Sequence, residues 1–112
     1  MKSAWAVGNI TEEFLKTSNQ LGVENIIHYG GPGQTDWLGR GRTYQEYKEL
    51  INKLKFHGLN LVSFEGGFVG NPKYWDVVIG GPKRDELIDD LISQIRDMAR
   101  AGIPAYGYNW MP

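Results

Sequence analysis

No cysteine occurs among the 112 residues. That excludes disulfides, thiolate nucleophiles and cysteine metal ligands, and it agrees with a reducing, cytoplasmic setting. Neither sign of charge is in excess. A formal net charge of −1 leaves no basic footprint for nucleic acid or an anionic membrane. No stretch approaches the roughly 20 apolar residues of a membrane span, and Met1 to Gly8 lacks the apolar run of a signal peptide. The two histidines, His28 and His57, do not sit at a metal-ligand spacing. Glycine-lysine-serine/threonine triplets are missing, which rules out a P-loop. Gly30-Gly31-Pro32-Gly33 and Gly39-Arg40-Gly41 lack both the spacing and the following helix of a dinucleotide fingerprint.

Glycine, by contrast, is plentiful, with 15 residues, and its placement organises the chain. Gly22, Gly58 and Gly102 each close a helical pattern and open an apolar run one residue later: Val23 to Tyr29, Leu59 to Glu65 and Ile103 to Asn109. A recurring helix-glycine-strand unit is the signature of successive β/α units in a parallel sheet. The expected strands are 3–8, 24–29, 59–65 and 103–109; the expected helices are 12–21, 44–57 and 84–101. Asn9 or Thr11 can cap the first helix, whose apolar side is Phe14, Leu15 and Leu21. Thr43 with Glu46 forms a capping box for the second. The third carries a stripe of Leu87, Ile88, Leu91, Ile92, Ile95, Met98 and Ala99 that predicts core packing. The chain stops just past its fourth strand, so the expectation is a partial (β/α)8 barrel, a single incomplete α/β domain over 1–112. Its open first and fourth strands and an uncovered inner face carrying Ile27 and Leu61 predict self-association.

Connections on the two sides of this sheet differ. Helices return to strands through little more than one glycine, whereas Gly30 to Arg42 and Gly66 to Arg84 are long, glycine-rich and aromatic, with Trp37, Phe68, Tyr74 and Trp75. In parallel α/β folds the loops leaving the carboxyl ends of strands build the site. Strand alternation puts Ile27 with Tyr29, Ser63 with Glu65, and Gly107 with Asn109 on one face. Ile26 with His28, Val62 with Phe64, and Tyr106 with Tyr108 then take the other, beneath the helices. Tyr29, Glu65 and Asn109 are thereby expected at one level of the inner face, with Asn9 joining from the first strand. His28 suits packing or capping more than catalysis, and His57 sits favourably at a helix C-terminus.

The segment Gly102-Ile103-Pro104-Ala105-Tyr106-Gly107-Tyr108-Asn109-Trp110-Met111-Pro112 resembles mannonate dehydratases, in which a helix ends in Ala-Gly-Ile and the strand reads Tyr-Asn-Phe-Met-Pro. Gly80-Gly81-Pro82-Lys83-Arg84-Asp85-Glu86 is similar to that family's Gly-x-Pro-Gly-Arg-Asp-Glu approach to the same helix, and Glu65 falls near its third-strand glutamate. Residues 24 to 42 depart from the pattern: Gly30-Gly31-Pro32-Gly33 and Asp36-Trp37 stand in place of Ile-Pro-x-Gly-x-x-Trp. A sugar isomerase or epimerase of the same barrel class, or a non-catalytic half-barrel that binds a sugar acid, are the alternatives.

The resemblance implies a xylose-isomerase-like barrel and a lyase of glucuronate breakdown that converts D-mannonate to 2-dehydro-3-deoxy-D-gluconate and water. It implies a divalent metal, manganese or iron, for the full-length family. Such chemistry needs a base for the proton beside the carboxylate, a metal to steady the enediolate and an acid for the departing hydroxyl. The family's ligands and acid/base residues correspond to positions beyond Pro112, so no metal or turnover is expected of this chain alone. Its implied share is substrate binding, with Glu65, Asn109, Tyr29, Asn9, Trp37 and His28 as candidates.

Overall fold

A computed structural model describes residues 3–33, 41–66 and 71–108. Four strands, β1 (Trp5–Val7), β2 (Asn25–Tyr29), β3 (Asn60–Gly66) and β4 (Tyr106–Tyr108), form one parallel sheet in the order β1-β2-β3-β4. The helices are α1 (Glu12–Gln20), α2 (Tyr44–Phe56), α3 (Trp75–Ile79) and α4 (Arg84–Ala101). Leu15 of α1, Tyr47, Ile51 and Leu54 of α2, and Met98 and Ala101 of α4 share one buried cluster with Ile26, Leu61 and Phe64 of the sheet. The long helices therefore cover a single face, as in one side of a barrel wall.

The helix-to-strand returns use one device three times. Gly22, Gly58 and Gly102 adopt left-handed φ of 69°, 73° and 99°, a conformation open to glycine at little cost. The next residue then donates its N–H back five positions: Val23 to Ser18 (2.9 Å), Leu59 to Leu54 (3.0 Å) and Ile103 to Met98 (3.3 Å). Leu59 and Ile103 are buried and Val23 packs against the core, so each turn both ends a helix and delivers an apolar anchor to the next strand. The capping box forms as expected: Glu46 N–H donates to Thr43 Oγ1, and Thr43 N–H donates to Glu46 Oε2 at 2.7 Å. Thr11, not Asn9, caps α1.

Several expectations need correction. Strands β1 and β4 are shorter than 3–8 and 103–109. The connection from β3 is not irregular throughout: Asn71 caps a 3-10 turn, Pro72–Tyr74, which runs into α3. Leu21 is two-thirds exposed, so the apolar anchors of α1 are Leu15 and Phe14, with Ser18 also buried. In α4 the buried line is Leu91, Gln94, Met98 and Ala101, while Ile92 and Ile95 stay partly exposed. Alternation in β3 is broken once. Ile26 pairs with Leu61 but Ile27 pairs with Ser63, leaving Val62 as an extra, unpaired residue. A bulge shifts the pleat by one, so Leu61 joins the helix-side cluster instead of the inner face, and Val62 does not pair with Phe64 in packing.

Candidate functional site at the carboxyl ends of the strands

Above the bulge the register is regular. Val7, His28, Phe64 and Tyr106 lie side by side at one level; Tyr29, Glu65 and Gly107 lie at the next. Phe64 is fully buried on the helix side, its ring 5.4 Å from that of Tyr47. Glu65 must then point to the opposite face. The glycine beside it agrees: a Cβ on Gly107 would stand 3.8 Å from Glu65 Cγ. Glu65 is half-buried, Tyr29 is 47% exposed, and among the described residues neither polar end has a hydrogen-bond partner. A carboxylate and a phenol thus stand next to a position without a side chain, facing away from the helices. That arrangement offers one strong acceptor and one donor to a polyhydroxylated ligand.

Other candidates fall elsewhere. His28 lies on the helix side and is 5% exposed. Arg42 donates to its Nε2 at 3.4 Å, so Nε2 is the acceptor, and Nδ1–H donates to Val7 carbonyl oxygen at 3.0 Å. Burial lowers its pKa, the Val7 bond works against this, and the Arg42 charge adds to the lowering. This is a neutral, two-sided structural histidine. Asn9 is exposed beyond β1. Trp37 and Asn109 lie outside the described residues; the residue beside Glu65 is Gly107. Tyr108 shares the helix-side face with Tyr106, the two rings stacked 6.2 Å apart, yet it is 64% exposed because no described element covers it.

The start of the first long loop is built into the fold. Gly31, Pro32 and Gly33 are buried. Tyr106 OH donates to Pro32 carbonyl oxygen at 2.6 Å, and Arg42 donates to the carbonyl of Gly30. Gln94 Oε1 accepts from Gly33 N–H at 3.1 Å, and Asn71 Nδ2 donates to Gly33 carbonyl oxygen at 3.0 Å. Gln94 Nε2 in turn donates to Tyr74 OH (2.7 Å), which donates to Asp90 Oδ2 (2.6 Å), where Lys73 Nζ also arrives at 2.8 Å. Burial alone would raise the pKa of Asp90, but the bonds from Lys73 and Tyr74 outweigh it and hold the carboxyl below its usual value. Tyr106 is pushed up to about 12 by burial and by its tyrosine neighbours. Sequence reasoning missed Gln94, Arg42 and Asn71. Gln94 alone left a signal, as a polar residue within an apolar helical stripe.

The D-mannonate dehydratase family model matches residues 1–112. The chain belongs to that family. A mannonate dehydratase of Streptococcus equi subsp. zooepidemicus is 44% identical over 75 residues, 67% of this chain and 20% of that protein. One from Streptococcus pneumoniae is 33% identical over 75 residues, 67% of this chain and 19% of that protein. The crystal structure of mannonate dehydratase from Streptococcus suis serotype 2 superposes with a TM-score of 0.74 at 27% identity, over 100% of this chain and 31% of that one. The chain thus spans a fifth to a third of the family members it matches, and their structure agrees with a partial barrel.

Among the described residues no group of three or more His, Cys, Asp or Glu could hold a metal ion. Glu65 has no second acid or histidine on its face at its level, since its neighbours there are Tyr29 and Gly107. The described residues therefore do not fit a divalent-metal site. No helix among them is long and apolar enough to cross a membrane.

Proposed function

We propose that the chain forms the N-terminal four strands of a mannonate dehydratase barrel and contributes substrate contacts to the dehydration of D-mannonate to 2-dehydro-3-deoxy-D-gluconate. The family match over the whole chain carries this reading, and the inner-face position of Glu65 supports it. Glu65 accepts from sugar-acid hydroxyls and Tyr29 donates beside it, and the side chains of Asn9, Trp37 and Asn109 add further substrate contacts. His28 contributes at one remove, by holding Arg42 and the end of β1. The manganese or iron of the full enzyme is bound by residues outside the described set, and the reaction takes place in the cytoplasm. A polypeptide of these 112 residues self-associates through the outer sides of β1 and β4, which pair with no other strand among the described residues.

A chimera tests the assignment. Residues 1–112 replace the matching segment of the Streptococcus suis enzyme, and keto-acid formation from D-mannonate is followed. Activity is expected, with kcat/KM lowered at least tenfold by Glu65→Gln, the loss of about one charged hydrogen bond. A folded chimera that is inactive on mannonate, or indifferent to Glu65→Gln, overturns the reading.

A further inference from the structure

Two loops leave the carboxyl ends of β2 and β3, and their described ends meet on one side chain. Gln94, 7% exposed on α4, accepts from Gly33 at the start of the first loop and donates to Tyr74 within the second. At the far end of the first loop, a Cβ on Gly41 would fall on the Gln94 carboxamide, so this glycine lets the backbone close on the same group. Gly33 is also gripped from the second loop, its carbonyl accepting from Asn71. A carboxamide has a donor end and an acceptor end in fixed relation. Here each end is used on a different loop, and burial makes either bond costly to leave unmade.

We propose that Gln94 is a positioning residue that couples the two loops, so that residues 31–33 and 71–79 order and loosen as one unit. If Tyr74 OH is removed, Nε2 loses the shorter of its two bonds and keeps the 3.1 Å bond to Asp90 Oδ2 on its own helix. The side chain is then no longer tied to the second loop and gains freedom to turn, which weakens the Oε1 bond to Gly33. Loosening in the second loop thus reaches a backbone group that Tyr74 OH does not itself touch. A ligand that immobilises one loop would, by the same linkage, protect the other.

Hydrogen exchange of backbone amides in the 112-residue chain, read by NMR, tests this. In Tyr74→Phe the Gly33 amide should exchange about tenfold faster, while amides of β2, β3 and α2 keep their rates. Gln94→Met should accelerate both segments, and adding Tyr74→Phe to it should leave Gly33 no faster, the non-additivity expected of one shared connection. Faster exchange confined to 71–79 in Tyr74→Phe, or additive effects at Gly33 in the double variant, would overturn the coupling. Should Tyr74→Phe unfold the chain, Gly41→Ala probes Gln94 from the other side and must accelerate 71–79 as well as the Gly33 amide; an unchanged 71–79 segment is the contrary result.

Discussion

Two glycines one strand apart should respond to the same substitution in opposite ways. Gly31 sits in the buried turn above β2, and an added Cβ would stand 2.6 Å from Phe64 Cβ and 3.1–3.2 Å from the Tyr106 ring. Carbon atoms in contact prefer about 3.5–4.0 Å, so roughly 1 Å of separation must be found. Phe64 Cβ is tied directly to the backbone of a central strand, and the Tyr106 ring is held by its bond to Pro32; neither yields easily. Overpacking of this kind costs about 1–3 kcal/mol, and displacing the Tyr106–Pro32 bond adds about 1 kcal/mol. Gly107 has neither obstacle. Its Cβ would meet only ordinary contacts at 3.8 Å, and its φ is not left-handed, so alanine there should be neutral or stabilising by up to about 1 kcal/mol through the unfolded chain. Urea unfolding followed by tryptophan fluorescence reads both. With a slope of about 1–3 kcal/mol/M, the Gly31→Ala midpoint should fall by roughly 1 M or more while that of Gly107→Ala holds or rises. Equal midpoints for Gly31→Ala and wild type would refute the close packing of the turn.

Histidine and cap variants test two other supports. The folded pKa of His28 is depressed below its ordinary 6.5, so its neutral form contributes stability above about pH 6.5 that is lost as pH falls toward the folded value. Urea midpoints at pH 7.5 and 5.5 should therefore diverge in wild type and converge in His28→Gln; matching slopes in both proteins would exclude His28 as the source. Thr43→Ala removes one half of the α2 capping box and should cost about 1 kcal/mol. A thermal midpoint within error of wild type would show the box to be energetically idle.

Local signals were legible in the sequence, and signals that depend on distant partners were not. The glycine turns after α1, α2 and α4, the Thr43–Glu46 box and the inward face of Glu65 all follow from residues within a few positions of one another. The short α3 was hidden because Pro72 and nearby glycines mark a loop, and five helical residues are too few to show a period. The bulge at Val62 has no mark of its own: Leu-Val-Ser-Phe reads as plain alternation until the partner strand is known. Gln94 was legible only as an oddity in the α4 stripe, since Gly33, Gly41 and Tyr74 approach it from 20 to 61 residues away. Arg42 and His28 meet across 14 residues, and nothing local announces the pairing.

The unpaired Val62 acts as a phase shifter within one strand. Below it, β3 presents Leu61 to the helices; above it, the same strand presents Phe64 to them and frees Glu65 for the other side. The lower half can thus be tuned for packing and the upper half for recognition without either dictating the parity of the other. Removing a single residue there would restore an unbroken zigzag and exchange the roles of everything beyond it, driving a carboxylate toward Tyr47 and a phenyl ring into the mouth. The position is therefore sensitive to length more than to chemistry: isoleucine or threonine in place of Val62 should be absorbed, whereas its deletion should not.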